Sequence, residues 1–427
     1  MSELAWAIHK DDEGLGVEDV GLRRGTERSA HGLPHKLEPD SGRHGAAITS
    51  PTSAEPTHVR FAVDEEIQRW DELLLQSPDE GTVYRCTANI DGMAQQGATP
   101  VHLMVDGNAV TAFRVAVPLT GALWILFGPP VLAIDELIRS ARAIAAFAAD
   151  HGVTAVRLRT QLKADPEHDQ LLRENGLVRV PTWLDDSTVI VDLTGSEADV
   201  QSRFKKRARK SIKRAFREGV TVDRVPATAE NCKTLYEMLD ATSGGRFNIP
   251  TLEISTAVFQ RYESSGQGQL FLARHEGEVV VGAFVATFGN TALYLGAGSV
   301  RRSPGDPTLC GLGGSRASYA LQWDIMQWAR DQGCERYDLD GTPSSATIGD
   351  LSHPRQGVGQ FKTAFSDDIT DYLGAYQIAV QPRRAWLMRQ LEINAQRLDQ
   401  SVTMNRLRGR HVRPNPDHVW LRRGSSR

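Results

Sequence analysis

The chain repeats one local pattern twice, and this repetition limits the possible folds more than any other feature. Residues 148–158 and 329–339 each contain the end of an apolar helix, then a glycine, then a short strand-like run. A glycine at that place commonly ends a helix, because it takes the left-handed conformation at little cost. A β-rich region precedes both copies. The sequence therefore predicts a duplicated α/β unit, in which two mixed sheets carry helices on their faces.

Apolar periodicity and the positions of glycine and proline predict the individual helices and strands and divide the chain into four regions. Helices are predicted over residues 64–76, 134–151, 167–175, 229–242, 253–264 and 315–332. Strands are predicted over residues 100–105, 109–117, 122–127, 155–159, 187–193, 269–275, 279–288, 291–296 and 336–339. The regions are a disordered extension (1–57), a first α/β domain (58–197), a connecting helix with a second domain (198–380), and an Arg-rich helix and tail (381–427).

Composition narrows the compartment and the class of cofactor. No apolar run approaches the ~20 residues of a membrane span, and the N-terminus lacks the basic start and apolar stretch of a secretory signal. The cysteines are scattered without a Cys-x-x-Cys pair, namely Cys86, Cys232, Cys310 and Cys334. Buried free thiols are favoured over a structural zinc site. We therefore expect a cytoplasmic protein that contains no metal.

Positive charge is concentrated in two blocks. Residues 1–57 contain ten acidic and six basic residues, which accounts for the formal net charge of -4 and leaves the remainder neutral. Residues 203–217 contain nine basic residues and no acidic one, and residues 383–427 contain eleven arginines against three acids. Such blocks on a neutral chain indicate a polyanion or a phosphate-bearing substrate, although a solvated helix face is the alternative for each.

The first basic block is predicted to lie on one amphipathic helix. Its apolar positions recur every three or four residues, at Val200, Phe204, Ala208, Ile212 and Ala215 or Phe216. Lys205, Arg209 and Lys213 line a neighbouring strip. We expect this helix to pack between the two domains and to present a basic ridge to the cleft, where charge-assisted bonds could bind phosphate.

Three further stretches contain candidate site residues. Residues 294–299, with Tyr294 and Gly296, precede a long Gly/Pro-rich loop over 300–314 that could border a ligand. Within that loop, residues 308–313 partly match the glycine-rich turn of acetyl-CoA N-acyltransferases, but a threonine occupies the first position.

Asp338 and Asp340 lie at the carboxyl end of a predicted strand, where α/β folds tend to bind ligands. Either carboxylate could orient or deprotonate an attacking amine, and a structural role in the turn is the alternative for one of them. Lys362, which follows Phe361, could bind nucleic-acid phosphates or stabilise an oxyanion.

Taken in order, these stretches resemble the Fem family of tRNA-dependent aminoacyltransferases. The matching segments are residues 183–193, 206–220, 294–299, 323–330, 337–341, 359–362 and 372–376, together with Phe127-Gly-Pro-Pro130, and they span about residues 58–380. The resemblance implies twin acetyltransferase-like (GNAT-like) domains. It implies transfer of an amino acid from the 3′ end of aminoacyl-tRNA, a co-substrate rather than a cofactor, to a primary amine of a cell-wall peptide. By position, the resemblance implies that Arg209 binds a substrate phosphate and that Lys362 binds the tRNA end or stabilises the transition state.

Two departures from the family pattern shape the expected acceptor. Residues 83–97, where the family usually has an aromatic residue and a phosphate-binding lysine, contain neither tryptophan nor lysine. This difference argues against a UDP- or undecaprenyl-linked acceptor. No long helical hairpin follows the basic helix, so we expect the compact form of the fold, with tRNA bound by the second half and by the Arg-rich tail.

The leading hypothesis is an aminoacyl-tRNA-dependent N-acyltransferase acting on a peptidoglycan precursor peptide, with Lys362, Asp338 and Asp340 as catalytic residues. Arg209, Lys205, Lys213, Tyr294, Gly296 and Phe361 are the predicted substrate-binding residues. The alternatives are aminoacylation of a peptide-like secondary metabolite, an acyl-CoA-dependent N-acyltransferase, and an RNA-binding protein without catalytic activity. Membrane contact is expected only peripherally, through the basic C-terminal region.

Overall fold

The computed structural model describes residues 57–181, 184–243, 249–300 and 316–399. Three predicted features therefore lie outside the described residues almost entirely. They are the extension over 1–57, the loop over 300–314 with its partial glycine turn, and the tail beyond residue 399.

Twelve helices and fourteen strands occupy the described residues. The helices are α1 (Asp64–Gln68), α2 (Trp70–Leu75), α3 (Thr87–Gln95), α4 (Ile134–Ala149), α5 (Pro166–Glu174), α6 (Glu197–Arg203), α7 (Lys206–Arg217), α8 (Ala229–Ser243), α9 (Leu252–Ser264), α10 (Ala317–Asp331), α11 (Gln356–Lys362) and α12 (Pro382–Asp399). The strands are β1 (Val59–Phe61), β2 (Thr99–Val105), β3 (Asn108–Val117), β4 (Gly121–Phe127), β5 (Val153–Arg159), β6 (Leu177–Val180), β7 (Ser187–Asp192), β8 (Thr221–Val225), β9 (Gly268–His275), β10 (Glu278–Phe288), β11 (Thr291–Ser299), β12 (Arg336–Gly341), β13 (Ile369–Asp371) and β14 (Ala375–Ala379).

The strands form two seven-stranded sheets with the same order and directions. The first sheet runs β1-β2-β3-β4-β5-β14-β6, and the second, read from β8, runs β8-β9-β10-β11-β12-β7-β13. In each, the fourth and fifth strands are parallel and the other neighbours are antiparallel. Gly152 and Gly333 end equivalent helices with positive φ values of 67° and 83°. The predicted duplication into two mixed α/β units is confirmed.

Two strands depart from the predicted domain boundaries, because each half contributes one strand to the other half's sheet. β7 lies within residues 58–197, yet it pairs with β12 and β13 of the second sheet. β14 lies within residues 198–380, yet it pairs with β5 and β6 of the first. Linear boundaries therefore cannot separate the two units, and the chain must cross between the sheets twice.

The two crossing segments are joined by a backbone hydrogen bond, in which the N–H of Tyr372 donates to the carbonyl of Asp186 at 2.7 Å. The N–H of Leu373 donates to the carbonyl of Leu162, in the loop after β5, at 2.9 Å. At Gly374, with φ of 83°, a Cβ would lie 2.7 Å from Asp186 Oδ2, so only glycine fits without displacing that side chain. The crossing fixes the carboxyl ends of β5 and β12 relative to each other.

The predicted basic helix is two helices, separated by the extended residues Phe204 and Lys205. α6 begins at a capping box formed by Ser196 and Asp199, and it ends where Phe204 takes an extended conformation. The Phe204 ring then packs edge-on against Trp323 and Phe365, with ring centroids 5.8 and 5.5 Å apart. Burial of that ring explains the break in the helix, since a continuous helix would not direct the chain into this contact.

α7 packs on α10 of the second unit, whereas the sequence predicts a helix between the two domains. Ala208, Ile212 and Ala215 of α7 are buried against α10, and Phe216 remains exposed. β8 begins at Thr221, directly after the turn that ends α7, so no helical hairpin is inserted there, as predicted. Across the described residues, no helix has the length and apolar character needed to cross a membrane.

Candidate active site

The second sheet opens where its two parallel strands separate. β11 and β12 pair from Thr291 opposite Arg336 to Leu293 opposite Asp338. Beyond that point β11 continues along β10 with a register shift, and β12 ends in Asp338, Leu339, Asp340 and Gly341. The carboxyl ends of parallel strands are the usual place for ligands in α/β folds, because the chains diverge there and leave polar groups accessible.

Asp338 is the half-buried carboxylate at this opening. Thr188 of β7 donates its hydroxyl to Asp338 Oδ1, and the N–H of Asp340 donates to the same oxygen at 2.8 Å. Burial raises the pKa of Asp338 above its ordinary value, the Thr188 bond opposes that rise, and the nearby Asp340 carboxylate adds to it. A carboxylate with a raised pKa is a better proton acceptor near neutral pH than an ordinary aspartate.

Lys362 is fixed over the end of β12. Its side chain is 8% exposed, and its Nζ donates to the carbonyl of Asp340 at 3.0 Å and to the carbonyl of Gly341. Asp340 has φ of 59°, a left-handed conformation that turns its carbonyl toward the ammonium. The predicted structural role in a turn thus falls to Asp340. We name Thr188, Asp338, Asp340, Gly341 and Lys362 the carboxylate–lysine cluster.

Asp185 connects the carboxylate–lysine cluster to its surroundings. Arg355 donates to both of its carboxylate oxygens, at 2.6 and 3.2 Å. A Cβ on Gly341 would lie 1.7 Å from Asp185 Oδ2, so the pair packs directly on the glycine backbone. Arg159, at the end of β5, donates to the carbonyl oxygen of Asp185 at 2.6 Å. The first sheet therefore contacts the cluster through one residue of the crossing segment.

A second cleft lies at the carboxyl ends of the parallel strands of the first sheet. Tyr84, Arg85, Phe127, Gly128 and Arg159 are among its lining residues, and the rings of Tyr84 and Phe127 stack with centroids 5.6 Å apart. Burial raises the pKa of Tyr84 well above its ordinary value, and the charges of Asp340, Asp338 and Asp185 reinforce the rise. Tyr84 therefore lies within electrostatic reach of the cluster, which makes the two clefts neighbours.

The three predicted basic residues of the connecting helix lie apart from the cluster. Arg209 donates to the carbonyls of Gln201, Ser202 and Phe204, at 3.5, 3.0 and 2.6 Å, so its guanidinium caps the end of α6. Lys205 pairs with Asp367 at 2.5 Å on the surface. Lys213 is exposed. These contacts give Arg209 a structural role in this conformation, which the sequence did not predict.

The predicted apolar and aromatic site residues lie in or beside the core. Tyr294 packs edge-on to Tyr337 with centroids 6.4 Å apart, and burial raises its pKa. At Gly296 a Cβ would meet the Phe259 ring at 4.0 Å, an ordinary contact, so sterics do not demand glycine there. Phe361 packs on Tyr319 at 5.0 Å, which anchors the helix that carries Lys362. Asp338, Asp340 and Lys362 are the predicted residues that the structure brings together.

Sequence reasoning missed the groups that complete both clefts. They are Thr188, Asp185, Arg355, Arg159, Tyr84 and Arg85. The Asp-Asp pair before β7 was a visible signal, since two acids directly before a buried strand need partners. No other signal was local, because the contacts depend on the exchange of strands. Among the described residues, no group of three or more His, Cys, Asp or Glu side chains could hold a metal ion.

Comparisons with known proteins agree with the resemblance to the Fem family. Residues 258–392 match the FemAB family. A UDP-N-acetylmuramoylpentapeptide-lysine N(6)-alanyltransferase of Weissella viridescens is 26% identical over 180 residues, which cover 39% of this chain and 49% of that protein. The chain thus spans about half the length of this curated relative. The crystal structure of FemX superposes with a TM-score of 0.63 at 16% identity, over 78% of this chain and all of that one.

The twin seven-stranded sheets share their overall fold with FemX. Together with the match of residues 258–392 to the FemAB family, this likeness confirms the resemblance to the Fem family.

Proposed function

We propose that this protein is an aminoacyl-tRNA-dependent N-acyltransferase that adds an amino acid to a primary amine of a peptidoglycan precursor peptide. The observation that carries the proposal is the carboxylate–lysine cluster, in which two carboxylates and a buried ammonium meet at the open end of a sheet. β12 and Lys362 both lie within the FemAB-matched region. The likeness to an alanyltransferase that acts on a peptidoglycan precursor supports the choice of reaction and acceptor.

Asp340 and Asp338 have different roles in the proposed reaction. The Asp340 carboxylate makes no hydrogen bond within the described part of the chain, and it attracts the acceptor ammonium to the cleft. The ammonium first loses one proton to solvent. When the neutral amine nitrogen then bonds to the ester carbonyl carbon, its two N–H bonds become acidic and one of them gives up its proton. Asp338, whose pKa is raised by burial, accepts that proton. The C–O bond to the tRNA 3′ oxygen then breaks, that oxygen takes up a proton, and the amide remains.

Lys362 stabilises the negative charge that develops on the ester oxygen. Its Nζ is fixed by two backbone carbonyls and is largely shielded from water. A fixed positive charge in such a site needs little reorganisation during the reaction, which is the condition for effective electrostatic catalysis. The proposed reaction requires neither a covalent enzyme intermediate nor ATP, since aminoacyl-tRNA is already an activated ester.

The basic face of α7 is the proposed surface for tRNA. Along this face lie the exposed cationic side chains of Lys206, Lys210, Lys213 and Arg217. Arg207 donates to the carbonyl of Gln360, and the N–H of Lys205 donates to that of Ala364 at 2.9 Å. These bonds place α7 against α11, which carries Lys362. Phosphates bound along α7 would therefore lead the acylated 3′ end toward the cluster. Because the co-substrate is charged tRNA, we place the reaction in the cytoplasm.

The proposal is tested by binding and transfer measured on the same preparation. Purified protein is incubated with bulk tRNA charged with labelled amino acids and with lysine-containing muropeptides, and the products are analysed by mass spectrometry. We expect a mass gain of one amino-acid residue that RNase abolishes. Transfer from acyl-CoA without RNA would instead support the CoA-dependent alternative. Salt-sensitive tRNA binding without any product would support an RNA-binding protein.

A further inference from the structure

The C-terminal helix α12 turns large apolar side chains toward solvent. Trp386, Leu387 and Leu391 are 64%, 39% and 37% exposed. On the other side of the same helix, Ala385 and Met388 are buried in the hydrophobic core. The helix is therefore held on the protein by one side and presents apolar groups on the other. Neighbouring exposed apolar side chains of this kind commonly mark a surface that binds a partner.

The spacing of the exposed residues places them together on the outward side of α12. Leu387 and Leu391 are four residues apart, so they lie one above the other, and Trp386 flanks them. Arg383 precedes Leu387 by four residues and lies on the same side, which Arg384 borders. Both arginines are exposed. We name these five residues the α12 face. Tryptophan, leucine and arginine on one side are typical of helices that lie in the plane of a membrane surface.

The α12 face is positively charged and contains no acidic residue. Residues 382–394 include a single acid, Glu392. Arg157 of β5 donates to both of its carboxylate oxygens, at 3.0 and 2.9 Å. Arg157 is buried, so Glu392 points into the protein and away from the α12 face. The charge of the face therefore favours an anionic partner.

Charge and side-chain chemistry distinguish the possible occupants of the α12 face. A second copy of the chain would bring the arginines of two such faces together. Residues 400–427 contain seven arginines and one acid, so this segment would be repelled as well. RNA would match the charge, but Leu387 and Leu391 offer neither a hydrogen bond to phosphate nor a ring on which a base can stack. An anionic membrane surface matches both properties, since tryptophan favours the membrane–water interface and arginine is attracted to anionic lipids.

We propose that the α12 face docks the protein on a membrane surface that contains anionic phospholipids. Arg383 and Arg384 bind the lipid headgroups, and the three apolar side chains enter the boundary between headgroups and acyl chains, to a depth of about 5–10 Å. Each arginine strengthens binding about fivefold, because its attraction to an anionic surface contributes about 1 kcal/mol. Docking of this kind is independent of the proposed transfer reaction.

The test is co-sedimentation of the full chain with two kinds of vesicle. One kind consists of phosphatidylcholine alone, and the other contains phosphatidylcholine and phosphatidylglycerol in equal amounts. We expect binding to the anionic vesicles that weakens as the salt concentration is raised, and little binding to phosphatidylcholine. Absence of binding to the anionic vesicles at low salt would overturn the proposal, and so would equal affinity for the two kinds of vesicle.

The double variant Trp386→Ser with Leu387→Ser tests whether α12 is the docking surface. Both side chains are exposed, so we expect the fold to be unchanged, and binding to anionic vesicles should weaken about tenfold or more because less apolar area enters the membrane. Leu132→Ser is the control, because Leu132 is 66% exposed but lies close in sequence to Asp135 and Glu136 rather than to arginines. Unchanged binding in the double variant, or an equal loss in the control, would overturn the assignment to α12.

Two further measurements on the same double variant test the other occupants. A dimer of the parent protein in sedimentation velocity that the double variant loses would identify a second copy as the occupant and overturn membrane docking. An affinity for tRNA that falls about tenfold in the double variant, with vesicle binding unchanged, would identify RNA and overturn it as well. Failure of the proposed transfer reaction would leave the vesicle results unaffected, because they are obtained without tRNA or acceptor.

Discussion

Replacement of Lys362 by methionine tests whether its charge serves the reaction or only the fold. Methionine keeps most of the volume of the side chain but removes the ammonium that contacts the carbonyls of Asp340 and Gly341. The carbonyl of Asp340 keeps a hydrogen bond from Thr188 Oγ1 at 3.1 Å, whereas the carbonyl of Gly341 loses its bond to the ammonium. We expect a stability loss of about 1–3 kcal/mol for a buried group left unsatisfied. Loss of a preorganised charge should lower kcat by about 10²–10³.

The assay is single-turnover transfer from charged tRNA to a muropeptide, measured well below the unfolding temperature of the variant. Lys233→Met is the control, since Lys233 is exposed on α8 and pairs with Glu237 at 3.8 Å. That control should change neither rate nor stability measurably. A folded Lys362→Met protein whose turnover stays within about twofold of the parent would refute the electrostatic role of Lys362.

Three further substitutions test the neighbouring contacts. Thr188→Val removes the hydrogen bond that opposes the raised pKa of Asp338, so the acid limb of the pH profile of kcat/KM should move to higher pH; an unmoved limb would exclude Asp338 as the base. Gly341→Ala places a Cβ 1.7 Å from Asp185 Oδ2, so it should lower the free energy of unfolding in urea by about 1–3 kcal/mol. Unchanged stability would contradict this packing. Arg209→Ala removes the side chain that caps α6, so it should lower the free energy of unfolding by about 1–2 kcal/mol. Intact stability with a raised KM for tRNA or acceptor would show instead that Arg209 binds substrate.

The elements with strong local signals were predicted from the sequence with small boundary errors. The helix predicted over 134–151 is α4, which ends at Ala149, and the strand predicted over 279–288 is β10, which begins at Glu278. Continuous apolar periodicity and a terminal glycine define such elements without help from tertiary contacts. α3 and α11 were missed, because both contain glycine and lack a clear apolar stripe.

The exchange of strands could not be predicted, because nothing local in β7 or β14 specifies which sheet each joins. β7 follows the first half along the chain but pairs with β12, and the resulting bond from Thr188 to Asp338 spans 150 residues. Partner choice of this kind is decided by packing across the whole molecule. The same limit applied to the site, where Asp338, Asp340 and Lys362 were predicted but their partners were not.

The basic helix shows how one pattern can serve two roles. The cationic residues of 203–217 were predicted to form one ridge, but Arg209 caps α6, Arg207 contacts α11 and Lys205 pairs with Asp367. Sequence spacing identifies which residues share a helix face, but it cannot show which of their charges are used within the fold. The exposed lysines of α7 remain the part of the block that can bind a polyanion.

One transfer experiment decides whether the protein moves an amino acid from tRNA to a peptide amine. Purified protein receives charged tRNA with a labelled amino acid and a lysine-containing muropeptide, with and without RNase, and products are analysed by mass spectrometry. We expect a product heavier by one amino-acid residue, formed only with intact tRNA and lost in the Lys362→Met variant. A product formed equally after RNase treatment, or no product with any acceptor, would contradict it.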